Sequence, residues 1–187
     1  AWSGSPSGSR VPRAIIGTYT GTGASASMSF GTEFIIENVA TGTSNIAITY
    51  DKNTAGRFVY MYQATGASSI GRGVCGNIAS GATTATMGSI VTWSATTVDP
   101  LRTNSSVIAY RIGAVPQALV ATLSGTAVSF GTPVTFSTGD TYNLAVMMGS
   151  GTQDVGGLFY VSDYGPTGVY TIKARSLTVS GTSISYG

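Results

Sequence analysis

The chain has 187 residues, of which only 9% are charged, a formal net charge of +2, no histidine and a single cysteine, Cys75. That composition excludes imidazole-based catalytic triads and zinc sites, thiolate clusters and an internal disulfide, and bases scattered singly give no track for a nucleic-acid backbone. With no apolar run near the roughly 18 residues of a membrane span, and a start, AWSGSPSGSRVPR, without the pattern of a signal peptide, neither nucleic acid nor membrane insertion is expected.

Residues 1–13 read as an N-terminal extension. From residue 14 the chain gives short runs rich in β-branched and aromatic residues, AIIGTYTG, EFIIENV, SNIAITYD and RFVYMYQ, separated by clusters of Gly, Ser, Thr, Asn and Asp. These are strand and turn signals. The glycine-rich GTGASAS lacks the Gly-Lys-Ser/Thr of a phosphate loop and predicts a hairpin turn. Next come GRGVCGNIASG, TMGSIVTWSATTVD and NSSVIAYRIGA, then VPQALVATLSGT, SFGTPVTFSTGD, TYNLAVMMG and GGLFYVSDYGPTG, and finally VYTIKARSLTVSGTSISYG. Nowhere do apolar residues hold a helical spacing for a dozen residues without a glycine or a β-branched run intervening.

The blocks repeat. VPRAIIGTYTGT, SFGTEFIIENVATG, TSNIAITYD and AGRFVYMYQATG return in order about 100 residues later, with a degraded copy between. The period is therefore about 50 residues, and the units span about 14–69, 70–114, 115–168 and a partial 169–187. Four short strands in such a period predict an all-β chain of four-stranded, β-propeller-like blades, with a β-sandwich or jelly roll as the alternative. Ile36, Trp93 and Phe136 fall at one place in successive units and are expected between neighbouring blades; Phe58 and Phe159 are matched likewise, with Val107 near their place. Gly31, Gly88 and Gly131 recur where a turn or a close backbone approach is expected. Cys75, in VCGNI, reads as a small buried hydrophobe. An array of this length does not close a ring comfortably, and open sheet edges call for a partner, so a homo-oligomer or a larger assembly is expected.

The blocks TVSGTSISYG, TLSGTAVSFGTPVTF and SSVIAYRIG resemble the SGTSISFGTPVVF-type propeller-like repeats of phage tail-fibre and bacterial surface proteins. The resemblance covers most of residues 14–187, strongest in the third unit. It implies a virion, extracellular or cell-surface location and a structural or receptor-binding role. TEFIIENV and VGGLFYVSDY bear a weaker likeness to tombus-like viral coat proteins, which implies a jelly-roll capsid protein as the alternative.

Seven carboxylates remain for chemistry: Glu33, Glu37, Asp51, Asp99, Asp140, Asp154 and Asp163. A glycosidase needs two of them facing each other. Asp51, Asp99, Asp140 and Asp154 instead lie in turn-like segments where a short acid bonds local backbone, and no Asp-x-Asp spacing supports calcium. No catalytic residue, metal or cofactor is predicted. Tyr62, Tyr110 and Tyr164 align across three units, and such a row could stack on the sugar rings of surface glycans, with Gln63 and Arg111 as adjacent polar groups. The expected function is a non-enzymatic structural or receptor-binding module of a virion; a jelly-roll coat protein and an extracellular glycan-cleaving propeller are the alternatives.

Overall fold

A computed structural model describes residues 2–4, 11–37, 42–51, 53–65, 69–96, 98, 102–104, 106–139, 141–149, 155–163 and 170–187. Among the described residues the protein is all-β, and its only helical element is a 3-10 turn at Gly23–Ser25. The first layer holds β1 (Trp2–Gly4), β2 (Val11–Ala14), β3 (Gly17–Thr20), β4 (Ser27–Phe30) and β5 (Phe34–Ile35). The second holds β6 (Gly42–Tyr50), β7 (Arg57–Thr65), β8 (Ser69–Asn77), β9 (Thr86–Met87) and β10 (Val91–Ser94). The third holds β11 (Arg102–Asn104), β12 (Val107–Ile112), β13 (Val115–Ser124), β14 (Ala127–Phe130) and β15 (Val134–Thr135). The fourth holds β16 (Thr141–Met148), β17 (Val155–Asp163), β18 (Tyr170–Ser180) and β19 (Ser183–Tyr186).

All the pairing is antiparallel and follows one plan. A long central strand receives a hairpin neighbour on one side, as β8 receives β7 and β18 receives β17. Its other edge is shared by two short strands, as β13 is shared by β14 and β15. The registers superpose. Leu123 faces Val128 and Val179 faces Ile184 around two-residue turns, while Tyr19 faces Met28 around a longer connection, residues 21–26, that carries the 3-10 turn; Gly21, Gly125 and Gly181, each the first residue after its strand, all carry positive φ. A left-handed backbone at the second turn position is what Gly alone adopts without a steric cost. Arg13 with Ile35, Arg72 with Thr92 and Gln117 with Thr135 likewise match. Even an irregularity recurs: Asn45 and Asn143, both at positive φ, sit at bulges of β6 and β16.

Each strand ladder joins strands of one local segment. A jelly roll pairs strands distant in the chain, and no such crossing pairing occurs among the described residues. The sequence unit and the sheet are out of phase. A unit beginning near residue 70 or 115 supplies the central strand and two short strands of one layer, and then the first two strands of the next. The N-terminal extension belongs to the first layer in part, because Trp2–Gly4 pairs with Val11–Arg13.

Three apolar clusters lie between successive layers. Ala14 and Ile36 pack with Tyr60, Tyr62 and Val74; Met61 and Cys75 pack with Leu119, Ala121 and Val128; Ala118, Val120 and Phe136 pack with Leu158, Leu177 and Ile184. Burying one such Leu, Val or Phe stabilises by about 1.5–3 kcal/mol, so the core is a series of interlayer contacts, as in repeat arrays. Burial also pushes the Cys75 thiol above its ordinary range, in keeping with an inert packed residue.

The recurrent glycines have their reason at these contacts. The N–H groups of Gly31, Gly88 and Gly131 donate at 2.9, 2.9 and 2.8 Å to the carbonyls of Ile16, between β2 and β3, and of Cys75 and Val120 on the central strands β8 and β13. A Cβ on the same three residues would stand 2.8 Å from the Thr83 oxygen, 1.8 Å from that of Thr126 and 2.2 Å from that of Thr182. The glycine of each layer is thus the seat on which the hairpin tip of the next layer rests, and the requirement is close backbone approach. Ile36, Trp93 and Phe136 occupy one structural place, Ile36 and Phe136 donating their N–H to Pro12 and Pro116.

The match of Phe58 with Phe159 is corrected. Phe58 pairs with Gly76 and is buried at 2% exposure, whereas Phe159 pairs with Ala174 and is 40% exposed, the place held by Met61 and Ala109 in the preceding layers. Val107 corresponds to Val59, since each faces the carbonyl residue of its glycine seat, Val120 or Cys75.

Candidate functional site

The predicted tyrosine row takes a different membership and a different role. Tyr62 on β7 stands opposite Arg72, and Tyr110 on β12 stands opposite Gln117, equivalent places on their central strands. Tyr164 lies outside the described residues, and the third tyrosine at this place is Tyr160, opposite Lys173. The segment between β17 and β18 is longer than that between β7 and β8, so matching by the following Thr-Gly shifted the alignment. Tyr62 and Tyr110 have no exposed surface and Tyr160 is 6% exposed. A strand wedged between two layers has no solvent face, so stacking of Tyr62 and Tyr110 on a sugar ring is not available in this packing.

What the rings touch gives their role. Trp93 meets Tyr110 edge-on with centroids 4.7 Å apart, and Phe136 meets Tyr160 at 5.3 Å. Such pairs add about 0.5–1.5 kcal/mol beyond the area they bury. Each large side chain at the Trp93 or Phe136 place therefore locks onto the tyrosine of the following layer. The Tyr110 hydroxyl donates to Gln117 Oε1 at 3.0 Å, and that of Tyr62 donates to Glu37. Burial, and for Tyr62 also the neighbouring Glu37, pushes both phenols above their ordinary value.

The two polar candidates are structural as well. Gln63, 4% exposed, accepts a hydrogen bond from Asn45 Nδ2 at 2.9 Å and so fastens the β6 bulge. Arg111 donates from its guanidinium to the Thr141 carbonyl at 2.8 Å, tying β12 to the start of β16.

The described carboxylates are each engaged by a guanidinium. Glu33 pairs with Arg13, Glu37 with Arg72, and Asp51 with Arg57, whose Nε donates at 2.6 Å, while Asp51 also accepts the Asn53 N–H at 2.8 Å. Glu37 is the most enclosed, its side chain 9% exposed between Tyr62 and Arg72. The expectation that Asp51 bonds local backbone is met in part, with Arg57 as its second partner. Asp99, Asp140 and Asp154 lie outside the described residues, as does the Asp163 side chain. Among the described residues no group of three or more acids or thiols could hold a metal ion.

Exposed large apolar side chains collect on the two outer layers. On the first hairpin Tyr19, Met28 and Phe30 are 61, 60 and 64% exposed, although Val128, Val179 and Ile184 at equivalent places are buried. On the outward side of the fourth layer Met147, Phe159 and Ile172 are 60, 40 and 81% exposed, whereas Ala109 and Pro116, which correspond to Phe159 and Ile172, are buried. Sequence reading missed these faces, although the alternation of Tyr19, Met28 and Phe30 against Leu123, Val128 and Phe130 carries the signal. Comparison with protein-family models, with curated proteins and with solved structures gives no match.

Proposed function

We propose that the chain is a non-enzymatic structural or receptor-binding module of a virion surface appendage, of the phage tail-fibre kind, built from propeller-like blades. One observation carries the reading: a single contact, hairpin tip on glycine seat, recurs between layers at Gly31, Gly88 and Gly131. A chain that repeats a packing contact and commits its described carboxylates to arginines is organised for assembly rather than for bond cleavage. The likeness of its Ser-Gly-Thr and Ser-Phe-Gly-Thr blocks to tail-fibre and surface-protein repeats supports a virion or cell-surface location. The local pairing of the described strands lends no support to the jelly-roll coat protein, and the arginine-paired carboxylates lend none to the glycan-cleaving propeller.

With Tyr62 and Tyr110 buried, a surface glycan would be met by an open ring such as Tyr50, 59% exposed on the rim of a groove with Thr18 and Ser80. The test is to incubate the purified chain with immobilised bacterial surface glycans, and to measure both retention of protein and release of new reducing ends. Retention without release is the expected result for a receptor-binding module. Release of reducing ends, abolished by Asp51→Asn, would replace this reading with the glycan-cleaving one.

A further inference from the structure

The two open faces are complementary by the chain's own rules. At each interlayer contact the following layer offers its hairpin, tip and flanking side chains, and the preceding layer offers a glycine seat and the outward side of its central strand. The first layer has a hairpin with the same flanking register and a longer tip, residues 21–26, as the second layer's β8–β9 hairpin also has, and Tyr19, Met28 and Phe30 lie beside it. In register these three match Leu123, Val128 and Phe130, or Val179, Ile184 and Tyr186, side chains that pack on the layer before. Phe130 reaches Gly73 and Trp93 of the second layer, and Tyr186 reaches Phe136 of the third. No preceding layer covers Phe30 among the described residues.

The fourth layer has the other half. Gly187 donates to the Ser176 carbonyl at 3.3 Å, the counterpart of the Gly31, Gly88 and Gly131 bonds. A Cβ there would meet only the Ser176 side chain, with no described hairpin tip over it. Beside it, Phe159 and Ile172 stand open on the side that the third layer fills with its neighbour.

We infer that the β3–β4 hairpin of one copy docks on the Gly187 end face of a second copy, head to tail, by the contact that already joins the layers within the chain. The inference rests on the structural reading above and names its partner. The contact is heterologous, because the surfaces that meet are different, so copies close into a ring or extend as a filament.

The experiment is the solution mass of the purified chain across a concentration series, by light scattering after size exclusion, for three forms. The unaltered chain is expected at twice the chain mass or higher. Phe30→Ser with Met28→Thr removes the head and Ile172→Thr weakens the tail; all three positions are exposed, so the circular dichroism and melting of the separated chain are expected to stay unchanged. Each variant alone is expected to weaken association at least 10-fold. Mixing the two restores a 1:1 pair through the one intact head and the one intact tail, which a symmetric interface would not do. An unaltered chain that is monomeric throughout, or an assembly that both variants leave intact, overturns the inference. In the second case the assembly reading survives on another surface, and the glycan assay tests that reading separately. Should the head variant unfold, the tail variant alone decides.

Discussion

Gly88→Ala is expected to lower the unfolding midpoint by roughly 6–12 °C, the equivalent of about 3 kcal/mol in a chain of this size. The new methyl would stand 1.8 Å from the Thr126 carbonyl oxygen, and the obstacle is backbone, so no side-chain rotamer relieves it. The hairpin formed by β13 and β14 must lift from the second layer, drawing Val128 and Phe130 out of the cluster they share with Met61 and Cys75. Gly125→Ala is the control. Gly125 has φ of +57° and nothing within 4 Å of the added methyl, so it carries only the left-handed backbone cost, about 1 kcal/mol, and a midpoint fall of roughly 2–4 °C. Thermal melts of the two variants separate close approach from backbone conformation. Equal losses would show that Gly88 is not a seat.

Phe136→Ala is expected to cost about 4 kcal/mol, a fall of roughly 8–16 °C, because truncating a buried Phe loses its transfer free energy and leaves a cavity. Phe136 is 1% exposed and touches both Tyr160 and Tyr186, so a single ring joins the third layer to two strands of the fourth. Phe159→Ala, at a ring 40% exposed on the outward side of that layer, is expected to cost less than half as much in the separated chain. Guanidinium unfolding of both variants checks the difference. A Phe159 variant as unstable as the Phe136 variant would place Phe159 in an interlayer core after all.

Sequence carried the all-β character because strand and turn chemistry is local: β-branched runs, Ser-Gly-Thr turns and the Ser-Phe-Gly blocks need no tertiary knowledge. It carried the shared place of Ile36, Trp93 and Phe136 and of the three glycines because each stands a fixed distance from the Ser-Phe-Gly block or its remnant Met-Gly. It failed at the Phe58 and Phe159 match and at Tyr164, where segments of unequal length separate paired strands and a count along the chain slips by a few residues. A tyrosine between two layers was also read as one on an open strand. Tyr62 and Tyr110 lie in the continuous apolar runs FVYMY and VIAY, the pattern of strands covered on both faces, and only the packed layers show which residues close the second face. Glu37 shows the same limit, since its partners Tyr62 and Arg72 lie 25 and 35 residues away and meet it only when the first two layers pack. The open hairpin of the first layer was hidden for the opposite reason, because its apolar residues match buried ones elsewhere and their exposure shows only in the packed structure.

The most direct test of one contact joining successive layers is amide hydrogen exchange, resolved by residue, on the folded chain. The N–H groups of Gly31, Gly88 and Gly131 lie beneath the tips at Thr83, Thr126 and Thr182, and all three are expected to exchange slowly, with protection comparable to the central strands β8 and β13. Rapid exchange at Gly88 and Gly131, alongside protected strands, would mean that the hairpin tips do not rest on the glycines, and would contradict the account.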